Sequence, residues 1–270
     1  MKISKLLLLL ISPLLLNNCN NANNTNDIDA KSKMDSTEYY QLKVYTFNTE
    51  TQVNVTDKYL KEAYLPALKK LGINNIGVFK SIKSKTDSIK NTYVLIPFSN
   101  MEQFLTLEDK LGKDSTYLLA GNSYINANYD EQPYQRIEST LMKAFTDMPQ
   151  MRPSKLESPR AERVYELRSY QSATEQYFKN KVDMFNAGGE VKLFEKLDFN
   201  AVFYAEVISG SKMPNLMYMT TFNNQTSRDE HWQAFGNSPE WDALKIMEKY
   251  QNNVSHIDIE FLYPTEYSDY

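Results

Sequence analysis

The sequence predicts an α+β chain of two tandem βαββαβ units that close on each other as a barrel. Three observations carry this. The body is written twice, each copy shows the same order of strand-like and helix-like segments, and the opening strands alternate apolar and polar residues. The repeat comes first. The segment YQLKVY at 40–45 resembles YELRSY at 165–170, an offset of 125. PFSN at 97–100 resembles TFNN at 221–224, an offset of 124, and Gly112 and Tyr117 align with Gly236 and Trp241 at the same offset. An offset held over separated patches implies two homologous domains, 39–148 and 161–267. The stretch between them, 149–160, holds Pro149, Pro153 and Pro159 and reads as an extended linker.

Each copy then runs through the same elements. A strand is expected at 39–47 and at 163–171, followed by a helical stretch at about 54–71 and about 174–197. In the first of these, Tyr59, Leu60, Ala63, Leu68 and Leu71 recur near a helical period. Two strands follow, at 74–82 and 91–98 in the first copy and at 200–209 and 215–222 in the second. A second helical region reaches about 127 and about 250, and a last strand closes each unit at 135–145 and 254–263. This is the split-βαβ, ferredoxin-like plan. Its antiparallel sheet carries helices on one face, so the other face must be covered. Two such sheets cover each other as a dimeric-type α/β barrel. A tandem repeat supplies both sheets in one chain, and head-to-head self-association of two chains would meet the same need.

Alternation within the strands assigns faces. Tyr165 and Leu167 oppose Glu166, Arg168 and Tyr170, and Tyr40, Leu42 and Val44 oppose Gln41, Lys43 and Tyr45. The apolar sets are expected to face the helices and the polar sets the uncovered face. In the last strand Ile257, Ile259, Phe261 and Tyr263 alternate with His256, Asp258, Glu260 and Leu262. First and last strands are neighbours in this plan, so Glu166, Arg168, His256, Asp258 and Glu260 are expected on one surface. One reading makes that surface a ligand pocket, with Arg168 holding an anion and His256 or a carboxylate handling a proton. The other makes it a solvated or salt-bridged face. Three carboxylates and an imidazole suit Mn or Fe, but nothing in the spacing demands a metal, and none is expected.

Two further motifs stand out. In FNAGGE at 185–190, Gly188 and Gly189 break the helical region of the second copy, either as a bend or as a restarted helix end whose amides meet an anion. In HWQAFGNSPEW at 231–241, Asn237 or Ser238 caps a helix with Pro239 in its first turn, so Trp232, Phe235 and Trp241 read as core anchors and His231 as packed rather than as a haem ligand.

The front of the chain reads as a targeting segment. Lys2 and Lys5 precede an apolar run at 6–16, shorter than the roughly 20 residues of a membrane span and matched to a signal-peptide core. The single cysteine, Cys19, stands three residues after the last leucine, where a bacterial lipoprotein signal places its lipidated cysteine. Residues 1–18 are thus expected to be a signal peptide and 19–38 a flexible tether. The expected location is the bacterial cell envelope, on a membrane through the lipid, with a secreted or periplasmic soluble form as the alternative.

Composition bounds the rest. With 30 Lys+Arg against 34 Asp+Glu the chain carries −4, and loss of Lys2 and Lys5 leaves −6, which argues against a nucleic-acid partner. One Cys and two His leave no Cys-based zinc site and no His-rich metal site. No phosphate loop, dinucleotide fingerprint or nucleophile elbow is present.

The segments VYELRSY at 164–170, HWQAFGNSPEW at 231–241 and NLMYMTTF at 215–222 resemble the NIPSNAP family. The likeness covers the second copy almost completely and the first in outline, where Gln41 and Lys43 replace the Glu and Arg and the paired tryptophans are missing. The resemblance implies the dimeric α/β-barrel fold and brings no defined chemistry. The function read from the chain is a binding or interaction module for a small anionic or aromatic ligand or a protein partner, without cofactor. The candidate ligand residues are Glu166, Arg168, Tyr170, Gly188, Gly189, His256 and Asp258. The alternative is a cofactor-light monooxygenase-like or haem-binding barrel enzyme using Arg168, His256 and a carboxylate.

Overall fold

The computed structural model describes residues 37–82 and 90–270. The expected signal segment, Cys19 and most of the expected tether lie outside the described residues. The first copy runs β1 (Tyr39–Phe47), α1 (Glu50–Tyr59), a π-helical turn (Leu60–Tyr64), α2 (Leu65–Lys70), β2 (Gly77–Ser81) and β3 (Lys90–Phe98). Four short helices follow, α3 (Met101–Leu105), α4 (Leu107–Leu111), α5 (Ser115–Ala120) and α6 (Asn122–Ile125), and then β4 (Arg136–Ala144). The second copy runs β5 (Val164–Gln171), α7 (Glu175–Phe185), α8 (Glu190–Lys196), β6 (Phe203–Ser209), β7 (Asn215–Phe222), α9 (Gln225–Gly236), α10 (Pro239–Lys245) and β8 (His256–Pro264). Local chemistry sets the helix starts. Thr49, Asn100, Thr174 and Asn224 each adopt extended backbone and accept an otherwise unpaired first-turn N–H. The π-helical turn falls immediately before Pro66, whose ring would clash with the carbonyl four residues back in an uninterrupted α-helix.

The eight strands form one closed antiparallel barrel in the order β1-β3-β2-β8-β5-β7-β6-β4, with β4 returning to β1. Within each copy the order places the last strand beside the first, as the split-βαβ plan requires. Two seams join the copies. β2 pairs with β8 over Phe79–Ser81, and β4 pairs with β6 through Leu141 to Ala144, with a bulge between Leu141 and Met142.

Closure reverses the face assignment drawn from alternation. Tyr40, Leu42, Tyr165 and Leu167 do not face the helices. They point into the barrel, where they meet Phe79, Met142, Phe203, Met217 and Leu262 from both copies. The helix-facing layers are separate: Tyr45 and Phe47 pack under α1 and α2 in the first copy, and Tyr170, Tyr204 and Tyr218 pack among Phe185, Phe194 and Phe235 in the second. The driest place in the fold is the shared interior, so it takes the apolar set. The helices can supply donors to polar strand residues and therefore cover the mixed set.

Glu38, read as the end of the tether, is fixed. Its N–H donates to the Pro149 carbonyl, its carbonyl accepts from Ala144, and its carboxylate accepts from the Met151 N–H at 2.7 Å. These bonds pull the linker against the end of β1.

Candidate functional site

Of the residues selected from sequence, Glu166, Arg168 and Tyr170 come together, on the helix side of β5. Glu166 is fully buried and accepts five charged or polar N–H donors. Arg168 Nε and Nη2 reach Oε1 at 2.6 Å, Arg228 Nε reaches Oε2 at 2.8 Å and its Nη2 reaches Oε1 at 2.9 Å, and Trp232 Nε1 reaches Oε2 at 2.8 Å. The Arg168 guanidinium lies 3.7 Å from the centre of the Trp232 ring and donates to Tyr170 Oη at 3.0 Å, and Tyr170 Oη pairs with Tyr218 Oη at 2.8 Å. Burial pushes the Glu166 carboxyl up, but the Arg228 hydrogen bonds, the Arg168 charge and the indole N–H outweigh it and hold the pKa below its ordinary value. A carboxylate so occupied has no lone pair left for a ligand. The cluster is a pin between β5 and α9.

His256 and Asp258 lie elsewhere. In the β5–β8 ladder Arg168 stands opposite Ile259 and Glu166 opposite Phe261, whereas His256 and Asp258 stand opposite Gln171 and Ser169. Directly opposed residues share a face, so His256, Asp258 and Glu260 are on the other side of the sheet from Arg168. Asp258 accepts from Lys212 Nζ at 2.9 Å, Gln171 Nε2 at 3.0 Å and His256 Nε2 at 3.1 Å, with the His256 side chain 60% exposed. Lys212 draws the Asp258 carboxyl down, partial burial opposes it, and His256 adds to the lowering. The expected convergence of five residues on one surface therefore does not occur. This end of β8 carries the Lys212–Asp258–His256 ion-pair cluster.

Gly188 and Gly189 separate α7 from α8. Gly189 adopts φ +87°, and a Cβ on Gly188 would stand 2.5 Å from the Met184 carbonyl oxygen. At the restarted end an internal carboxylate is already in place. Its first residue, Glu190, is buried and pairs with the buried Lys181 ammonium at 2.8 Å. Among the described residues no group of His, Cys, Asp and Glu is placed to hold a metal ion. None of the described helices is long and apolar enough to cross a membrane.

A cleft of about 320 Å³ opens where the alternation argument did not point. One wall is Met148 together with Arg152 and Lys155 of the 149–160 linker. The others are α8, the 198–201 turn, the end of β7 and the start of α9. Its floor is aromatic: Phe194, Phe199, Phe222 and Tyr204. The 198–201 turn is held by Asn200, whose Nδ2 donates to Thr221 Oγ1 at 2.9 Å while Thr221 Oγ1 donates back to the Asn200 carbonyl at 2.8 Å. His231 lies between Phe222 and Phe199, ring centres 5.4 and 5.9 Å away. Its Nδ1 donates to the Ser227 carbonyl at 2.6 Å, which fixes the ring's orientation. At the rim Arg152 pairs with Glu195 at 3.1 Å, and the exposed Lys155 ammonium has no ion-pair partner among the described residues. The sequence signal for this cleft was weak. Its basic residues sit in a linker, and its floor residues read as core.

The NIPSNAP family model matches residues 165–269. The match spans the second copy from β5 through β8. No curated protein matches the chain. Among solved structures, a proposed monooxygenase from Lactobacillus acidophilus is 12% identical over 84% of this chain and 94% of its own, with a TM-score of 0.53. A second proposed monooxygenase, from Fusobacterium nucleatum, is 8% identical over 85% of this chain and 93% of its own, also at 0.53. A NIPSNAP family protein from Agrobacterium tumefaciens is 14% identical over 43% of this chain and 98% of its own, at 0.36. At such identities the likeness to the first two is one of fold, and it agrees with the closed barrel. In the matched region, VYELRSY forms β5 with its pin, and HWQAFGNSPEW spans the end of α9 and the start of α10, so these segments hold the second copy's helices to its sheet.

Proposed function

We propose that the protein is a non-enzymatic binding module of the NIPSNAP type, taking a small anionic molecule with an aromatic or apolar body in the cleft beside α9. The observation that carries this is the make-up of the cleft: an aromatic floor of Phe194, Phe199 and Phe222 beneath a rim of Arg152, Lys155 and His231. Small-ligand sites of a few hundred Å³ typically pair an apolar lining with a few polar groups that fix orientation. Lys155 supplies an unpaired charge, and His231 supplies a second ring nitrogen beside the one that bonds Ser227. The barrel interior is filled by side chains of both copies. We propose further that lipid on Cys19 holds the module at the bacterial envelope membrane. Support for this rests on the apolar run at 6–16 and the placing of the only cysteine.

Mass spectrometry of the intact protein purified from its own host tests both parts. The expected result is acylation at Cys19 together with a small molecule released on denaturation, and loss of that molecule from a doubly substituted Arg152→Ala, Lys155→Ala protein. An unmodified Cys19 refutes the anchoring. Retention of the molecule by the double variant, or no released molecule from the parent, refutes the cleft.

A further inference from the structure

The first copy holds a cation without a counterion. Lys43 occupies in β1 the place that Arg168 holds in β5, and Gln41 stands where Glu166 does. The substitution removes the carboxylate: Gln41 is uncharged and donates to Ser139 Oγ at 2.8 Å. Among the described residues no carboxylate is within ion-pair distance of Lys43 Nζ, and no acceptor takes a hydrogen bond from it. Its neighbours are ring faces, with Nζ 5.0 Å from the centre of Tyr64 and 5.7 Å from that of Tyr45.

The setting is neutral and donor-rich. Tyr64 is 1% exposed and its hydroxyl has no partner among the described residues. Tyr59 and Tyr117 are bonded to each other at 2.8 Å. Burial raises the Tyr45 and Tyr64 hydroxyls, so both stay phenols and offer no negative charge. The charged group that faces this pocket is Glu108 of α4, which is exposed. Burial pushes the Lys43 ammonium below the ordinary lysine value, and the Glu108 carboxylate opposes this without reversing it. Ring faces attract a cation through their quadrupole, but they accept no hydrogen bond that would replace lost water.

We propose that Lys43 is a carbonyl-capturing amine, a modification site for small aldehydes. The neutral nitrogen adds to the aldehyde carbon, and the two nitrogen protons then leave with the carbonyl oxygen as one water. An imine joins Nζ to that carbon, and no oxidant or reductant is needed. Lys43 is half-buried, so its ammonium is partly open to solvent-borne carbonyl compounds. Selectivity follows from the free-base fraction. A lysine at the reference pKa of about 10.4 is roughly one part in a thousand amine at pH 7.5, and each unit of lowering multiplies that fraction about tenfold. The inference is independent of the cleft beside α9.

Limiting formaldehyde with cyanoborohydride, which reduces and so traps the imine, tests this on the full chain at pH 7.5 with peptide mapping over time. Lys43 is expected to be methylated faster than the exposed Lys61 and Lys110, with a rate–pH profile displaced to lower pH. Labelling of Lys43 no faster than Lys61 overturns the proposal. Glu108→Gln, a surface change, is expected to raise the Lys43 rate further, and an unchanged rate overturns the electrostatic basis.

Discussion

Glu166 meets no solvent, and every hydrogen bond it accepts comes from a guanidinium or an indole. Removing its charge leaves Arg168 and Arg228 against each other under α9, and breaking a buried pair of this kind costs about 3–5 kcal/mol. Glu166→Gln is therefore expected to lower stability by that amount in urea unfolding at pH 7. The pH dependence has a definite sign. The folded pKa lies below the ordinary 4.5, so the contribution is whole above the unfolded pKa and is lost as pH falls through the folded one. Between pH 5 and 3 the parent protein should lose stability more steeply than Glu166→Gln, and equal slopes would place the acid sensitivity elsewhere. The alternation in YELRSY was enough to single out Glu166, Arg168 and Tyr170 from sequence. It did not reveal Arg228, although Arg228 and Trp232 are four apart and so share a helix face.

The break between α7 and α8 aims Glu190 at Lys181 and brings Phe194 under α9. Two different demands meet at the Gly pair. Gly189 must reach a left-handed backbone, and Gly188 must let the Met184 carbonyl pass where a Cβ would be. Gly188→Ala forces backbone against side chain, an overpacking that costs about 1–3 kcal/mol. A fall in thermal midpoint by circular dichroism is expected, and an unchanged midpoint would show that α8 can shift freely. The sequence marked this break as a bend or an anion site and could not decide between them, because the buried lysine that takes Glu190 lies nine residues earlier on another helix.

The barrel is closed by two inter-copy seams, and its interior core draws side chains from both copies. Neither sheet can keep its inner face dry alone, so the copies should unfold together. Both tryptophans belong to the second copy, which makes the experiment direct. Tryptophan fluorescence reports on that copy and far-ultraviolet circular dichroism on both, and their denaturant midpoints should coincide. Separated midpoints would mean that the seams contribute little. The sequence by itself determined the duplication, the βαββαβ order of each copy and the need to cover a bare sheet face, because repeats and local periodicity are written along one dimension. Only the tertiary structure decided which face is inner, which β8 residues stand opposite Arg168, and that a proline-bearing linker walls a cleft. A one-residue choice of register or face exchanges a whole strand's neighbours, and that choice is made by how two sheets fit together rather than by any single segment.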